Sequence, residues 1–434
     1  MKQLHNRRDF LRGTALLMGA FSGQSLFSKS MAKSIAPFDK KMAGKSASEV
    51  ARDEDYWSVV QQGYSASFSN ILILNNGGVS PPPIVVQQAV ENYHKLADQG
   101  PSYYMWRILD QGREPLRQKL ARLAGTDPEE IAINRNATEA LNTVIFGMDL
   151  QRGDEVIGCH LDYPNMMHAW RQRAQREGIV YKQLAFDFPI EDDDLIVAAY
   201  RDAITPRTKV IHVTHVINWV GHIMPVKKIC EMAHEHGIEV IVDGAHSFGL
   251  LDFKVSDLGC DYFGTSLHKF LSAPVGTGMM WMKREHIGKI WPLVCDGEPK
   301  RSDIRKFETL GTRSFPLEQG IGEAINFHEG IGPKRKEERV RYLKDYWAKE
   351  AVSHIPRVRL HTSLAAAYSC GICGVSMDGM TAPELDAALF NRYKIHTTAM
   401  VNDYVHCVRI TPHVYTSLSD LDRLLDALHG IAKS

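Results

Sequence analysis

Lys269 stands in "DYFGTSLHKFLSAPVGTG" (261–278), where an apolar strand from Tyr262 to Leu267 runs through His268 into a glycine-rich loop. Lysine is seldom fully buried without a partner. Held in a protein interior, its amine is a nucleophile and a proton carrier; snorkelling from a strand end, it does no chemistry. The stretch by itself leaves both readings open. Asp243 ends "IEVIVD" just before "GAHSFG", and Asn136, Ala137 and Thr138 join "EIAIN" to the next helix. Backbone N–H groups at such a helix start suit a phosphate. A lone aspartate at a strand end is usually a cap or loop ligand, so the force of these residues depends on whether they meet.

The surrounding elements bring them together. Between about residues 105 and 290, helical stretches alternate with short, almost continuously apolar strands. They run "EPLRQKLARLAG" (114–125), "EIAIN" (130–134), "TEALNTVIFGM" (138–148), "DEVIG" (154–158), "KVIHVTHV" (209–216), "VKKICEMAHEHG" (226–237) and "IEVIVDG" (238–244). The pattern predicts an α/β fold with a mostly parallel, seven-stranded-type sheet covered on both faces. In such sheets ligands bind outside the carboxyl ends of the strands. The 136–138 turn, Asp243 and the group Ser266, His268 and Lys269 all fall at such ends. Beyond residue 310, long charged helices with "VRLHT" and "SCGICGVSM" predict a smaller α+β domain. The expected division is a large domain over 95–310 and a small one over 311–434, to which 33–94 contributes, with 1–32 apart.

One cofactor accounts for all three stations. Pyridoxal 5′-phosphate needs a lysine to take its aldehyde, a carboxylate to keep its ring nitrogen protonated, and a phosphate cradle. The chain also resembles the class V, fold-type I pyridoxal phosphate enzymes over essentially everything after residue 70, a group that includes cysteine desulfurases and isopenicillin N epimerase-like proteins. The matching text is "NATEALN", "THVINWVGHIMPV", "VDGAHSFG", "DYFGTSLHK", "FETLGTRS" and "VRITPHVYTSLSDLDRLLDAL". The resemblance implies that Lys269 and Asp243 are catalytic, with His246 and Asn218 near the ring hydroxyl. It puts Thr138, Ser266 and His268 on the phosphate, beside Asn136 and Ala137, and Tyr163 of "HLDYPN" against the cofactor ring. Thr312 would reach the phosphate of a neighbouring subunit, which makes the expected assembly a homodimer with the site at its interface. Arg409 would grip the substrate carboxylate, a task suited to a planar bidentate donor.

A departure from the family pattern narrows the chemistry. The desulfurase branch carries a nucleophilic cysteine in text close to His-Cys-Ala-Met; here "YKIHTTAMV" puts Thr398 in its place. A threonine hydroxyl is not ionised at neutral pH and cannot accept sulfur. Unless Cys370, Cys373 or Cys407 stands in, desulfuration is excluded. Transamination, epimerisation, elimination and decarboxylation of an amino-acid-like substrate stay open. So does an idle cofactor-binding protein, against which Lys269, Asp243 and Arg409 speak. Cys370 and Cys373 read as part of one strand, where residues three apart face opposite ways, so neither a redox pair nor a metal clip is expected. His234 and His236 lie two apart on a helix, the wrong spacing for one face; no metal site is expected. Residues 76–80 and 102–107 are candidates for lining the substrate pocket.

A formal net charge of zero over 434 residues gives no electrostatic case for nucleic acid or an anionic membrane. No apolar run is long enough for a stable membrane span. The start "NRRDFLRGTALLMGAFSGQSLFSKSMAKS" pairs Arg7 with Arg8, follows them with a short apolar stretch, and has small residues near Ala32. It resembles a twin-arginine export signal, whose machinery moves proteins already folded. The expectation is a periplasmic enzyme loaded with cofactor before export. The combination resembles the exported class V enzymes that trim siderophore peptides, which implies a small amino-acid or peptide substrate.

Overall fold

The structure, a computed structural model, describes Met42 and residues 44–433; the paired arginines and the expected signal lie outside the described residues. From Ser46 onward the chain is one compact unit. Its strands in chain order are β1 (Leu72–Ile73), β2 (Ile131–Asn134), β3 (Glu155–Cys159), β4 (Val180–Leu184), β5 (Thr208–Thr214), β6 (Glu239–Asp243) and β7 (Tyr262–Ser266). β8 (Gly278–Met282), β9 (Val358–Leu360), β10 (Cys373–Met377), β11 (Ile395–His396), β12 (Thr398–Val401) and β13 (His406–Ile410) follow.

Strands β2 to β8 form a seven-stranded sheet in the order β2-β8-β7-β6-β5-β3-β4. Neighbours from β7 across to β4 are parallel; β8 alone runs against β7 and β2. The carboxyl ends of β2, β3, β5, β6 and β7 therefore share one edge. The apolar runs explain the layering, because successive side chains leave opposite faces. Ile133, Ile157, Ile211, Val242 and Phe263 enter one core, while Ala132, Val156, Val210, Ile241 and Tyr262 enter the other.

The second sheet is antiparallel, in the order β12-β13-β10-β9. Its helices Pro333–His354, Ala382–Tyr393 and Leu418–Ala432 bury Trp347, Leu385, Leu389, Leu421 and Leu428 against it. Capping boxes at Thr381/Glu384 and Ser417/Asp420 start the last two helices. The short β1 pairs in parallel with β11, Leu72 beside Ile395, as a separate two-stranded sheet, so an early segment shares a core with the late strands. The CxxC corrects the strand reading of its region: β10 begins only at Cys373, and Cys370 lies outside any strand, just before a bend at Gly371. Both cysteines are buried free thiols.

Candidate active site

β2 ends at Asn134, and Asn136 caps the helix Ala137–Gly147 by accepting from the Glu139 N–H at 2.8 Å. The Ala137 N–H donates to Ser266 Oγ at 2.9 Å, tying the end of β7 to the helix start. This close approach needs Gly278 on β8, where a Cβ would lie 2.6 Å from Asn136 Cα. In this structure the Ala137 N–H, expected near a phosphate, is engaged by Ser266 Oγ. Thr138 follows in the first turn of that helix, and His268 lies half-buried just beyond β7. Its Nδ1 bonds the Thr277 carbonyl at 3.0 Å, which leaves Nε2 as its other ring nitrogen.

Lys269 reaches inward from the turn after β7, its Nζ 2.8 Å from His246 Nε2 and 5.9 Å from the ring centre of Tyr163. Burial draws the amine down to about 8; the Arg409 cation pushes the same way, while Asp243 opposes. Burial also holds His246 well below its usual value, helped by Lys269 and Arg409. A neutral His246 accepting at Nε2 carries its proton on Nδ1. Asp243 ends β6 with its Oδ1 accepting from the Ala245 N–H at 2.9 Å. Burial raises its carboxyl, against the pull of that N–H and of Lys269.

Arg409 arrives from β13. Its guanidinium is buried and donates to Asn75 Oδ1 at 2.9 Å and to the Asn218 carbonyl at 3.2 Å. Gly77 makes room, since a Cβ there would lie 3.2 Å from Arg409 Cζ. No carboxylate meets this cation among the described residues, and burial lowers it well below the ordinary arginine value, to about 10. Asn75 was not among the sequence candidates, although it adjoins the 76–80 segment that was. In the other candidate segment, Tyr103 and Trp106 are exposed. Thr312 stands apart from the cluster, exposed on the bend before the helix Phe315–Ile331.

Three buried polar atoms around Lys269 and Asp243 bond nothing among the described residues: Asn218 Oδ1, His246 Nδ1 and Arg409 Nε. Orphaned polar atoms in an interior are costly, and their convergence beside an anion cradle fits a polar cofactor. A lysine amine, a carboxylate and a phosphate turn on one sheet edge are the donor set that pyridoxal 5′-phosphate requires. The fold and this set define a pyridoxal phosphate enzyme. More narrowly, the chain belongs to the class V aminotransferase family, whose model matches residues 71–424. It is similar to the isopenicillin N epimerase of Streptomyces clavuligerus, 29% identical over 83% of this chain and 95% of that one. A probable cysteine desulfurase of Halalkalibacterium halodurans is 31% identical over 64% of this chain and 71% of its own. Among solved structures, the cysteine desulfurase CsdA from Escherichia coli superposes with a TM-score of 0.76. That match covers 87% of this chain and 98% of the other, at 22% identity.

Proposed function

We propose that this enzyme moves protons at the α-carbon of an amino acid or amino-acid-like peptide, as an epimerase or aminotransferase does. The observation that carries this reading is the buried Arg409 guanidinium, with no carboxylate of its own among the described residues, set near Lys269. A cation buried without a counter-ion is costly, and an incoming carboxylate repairs the deficit.

Lys269 supplies the covalent anchor and the mobile proton. With its amine drawn to about 8, a useful fraction is deprotonated near neutrality, and Nζ can take a proton from carbon and return it. His246 steadies that amine through its 2.8 Å bond. Ser266, Thr138 and His268 would hold the phosphate, and Asp243 would hold the proton on the ring nitrogen. When bound, the cofactor supplies the electron sink that lets the α-proton leave.

Sulfur transfer is disfavoured on the same residues. Thr398 sits directly across from Arg409 on β12. Burial pushes the Cys373 and Cys407 thiols up to about 12 and raises Cys370, far from the thiolate that sulfur chemistry needs. The similarity to isopenicillin N epimerase over nearly its whole length supports chemistry on a peptide-like substrate. Export by the twin-arginine pathway, a periplasmic location and a homodimer in which Thr312 reaches the partner's phosphate complete the proposal. The direct test is borohydride treatment of the holoenzyme followed by peptide mapping. Wild type should carry the reduced cofactor on Lys269 and Lys269→Ala should carry none there; label elsewhere in wild type removes Lys269 from its role.

A further inference from the structure

A second lysine, Lys336, is buried behind the first. It lies on the helix Pro333–His354, 2% exposed, with no carboxylate partner among the described residues. Its Nζ donates to the main-chain carbonyl of Phe270, the residue after Lys269, and lies 3.5 Å from His328 Nδ1. A buried amine aimed at a backbone carbonyl is an expensive way to satisfy one acceptor. What that carbonyl belongs to explains the expense.

The turn from Lys269 to Ser272 is an unusual piece of backbone. Ser272 is a non-glycine residue at φ 58°, the left-handed region that side chains disfavour. Its N–H closes the turn on the Lys269 carbonyl at 2.9 Å. Such a conformation persists only where its surroundings impose it. Three separate parts of the chain do so. The Ser80 N–H donates to the His268 carbonyl at 3.1 Å. Ser272 Oγ meets His413 Nε2 at 3.3 Å, and the Phe270 ring stacks on His413 at an interplanar angle of 11°. Lys336 holds the Phe270 carbonyl at the centre, where His413 also meets it. The Phe270 ring also abuts His246 edge-on, 6.3 Å between centres, so the clamp reaches the imidazole that touches Lys269.

We infer that Lys336 is a positioning residue: it fixes the Phe270 carbonyl and so aims the Lys269 amine at the cofactor. The inference rests on Lys269 being the covalent lysine. Lys336 touches neither cofactor nor substrate; it acts through the turn. Its helix belongs to the smaller sheet's layer, as does the strand that carries Arg409, and His413 lies four residues beyond Arg409 in sequence. The tethers therefore lock the covalent lysine to the part of the chain that grips the substrate.

The test measures attachment rather than turnover. Protein stripped of cofactor is mixed with pyridoxal 5′-phosphate, quenched with borohydride at intervals, and the Lys269 peptide is quantified by mass spectrometry. Lys336→Met keeps the volume and removes the donor; its attachment rate should fall at least tenfold. Leu343→Ala, a buried truncation on the same helix, controls for lost stability and should attach at close to the wild-type rate. If Lys336→Met yields no soluble protein, Lys336→Gln, neutral and too short to reach the carbonyl, is measured in its place and should show the same slowing. A wild-type rate in the Lys336 variant overturns the inference, as does equal slowing in Leu343→Ala. Wild-type protein without label on Lys269 would instead refute the proposed function, which keeps the two failures apart.

Discussion

Replacing Arg409 by methionine fills its space and deletes a cation that no carboxylate pairs among the described residues. Drawing an arginine down to about 10 corresponds to roughly 3 kcal/mol of disfavoured charge, and a bound substrate carboxylate relieves a cost of that order. Losing it should raise the Kd for an amino acid about a hundredfold, within the roughly 2–5 kcal/mol typical of truncating one partner of a buried charge pair. The folded protein should not suffer equally. Two hydrogen bonds are lost, to Asn75 and to the Asn218 carbonyl, at roughly 1 kcal/mol each, while the buried charge disappears with them. The variant's melting temperature should match or exceed wild type. The assay titrates the cofactor absorbance of both proteins with an amino acid, with a glutamyl peptide, and with the amine that lacks the carboxylate. Wild type should prefer the acid over the amine about a hundredfold, and Arg409→Met should show no preference. If the variant still discriminates, Arg409 is not the carboxylate site; a loss confined to the glutamyl peptide would assign it to the peptide's side-chain carboxylate.

Asp243→Asn should retain cofactor and fold yet lose most turnover, because an amide cannot hold the ring nitrogen's proton; near-normal kcat would make Asp243 a structural cap. Stripped protein should lose stability steeply as pH falls from about 6.5 toward 4, because the unfolded chain binds more protons there than the folded one. Burial holds His212, His215 and His222 at about 4 and His246, His328 and His413 well below their ordinary value, so all six take up protons on unfolding, while Asp162, pushed up to about 7, and the raised Asp243 give protons back; a urea midpoint flat across that window would contradict the assignment. Arg7→Lys combined with Arg8→Lys should leave the precursor in the cytoplasm with cofactor bound, as cell fractionation would show, and periplasmic protein would refute the export reading.

The strands that matter most were legible because they are buried on both faces and read as unbroken apolar runs. β6 and β7 announce themselves this way, and with them Asp243 and Lys269 at their ends. β4 did not, because Lys182 and Gln183 sit on a half-exposed edge strand where no burial pattern is enforced. β8 was invisible for another reason: "GMMWM" carries no sign of direction, and only pairing reveals that it runs backward. The identity of Arg409 was legible through family resemblance, but its lack of a counter-ion was not. That fact depends on Asn75, 334 residues away in sequence, and on no carboxylate pairing with Arg409 among the described residues. The commitment of the Ala137 N–H to Ser266 was hidden likewise, since no local pattern predicts which strand end meets a helix start.

The pairing of Leu72 with Ile395 sets the order in which the protein can mature. During synthesis the segment that later supports Arg409 emerges early and then waits for some three hundred further residues before its partner strand leaves the ribosome. The seven-stranded sheet is complete by Met282 and can form meanwhile, as domains generally do, with Lys269 already at its edge. The turn around that lysine is still untethered then, because Lys336 and His413 have not been made. On the inferred role of Lys336, full-rate cofactor capture waits until both tethers have been synthesised.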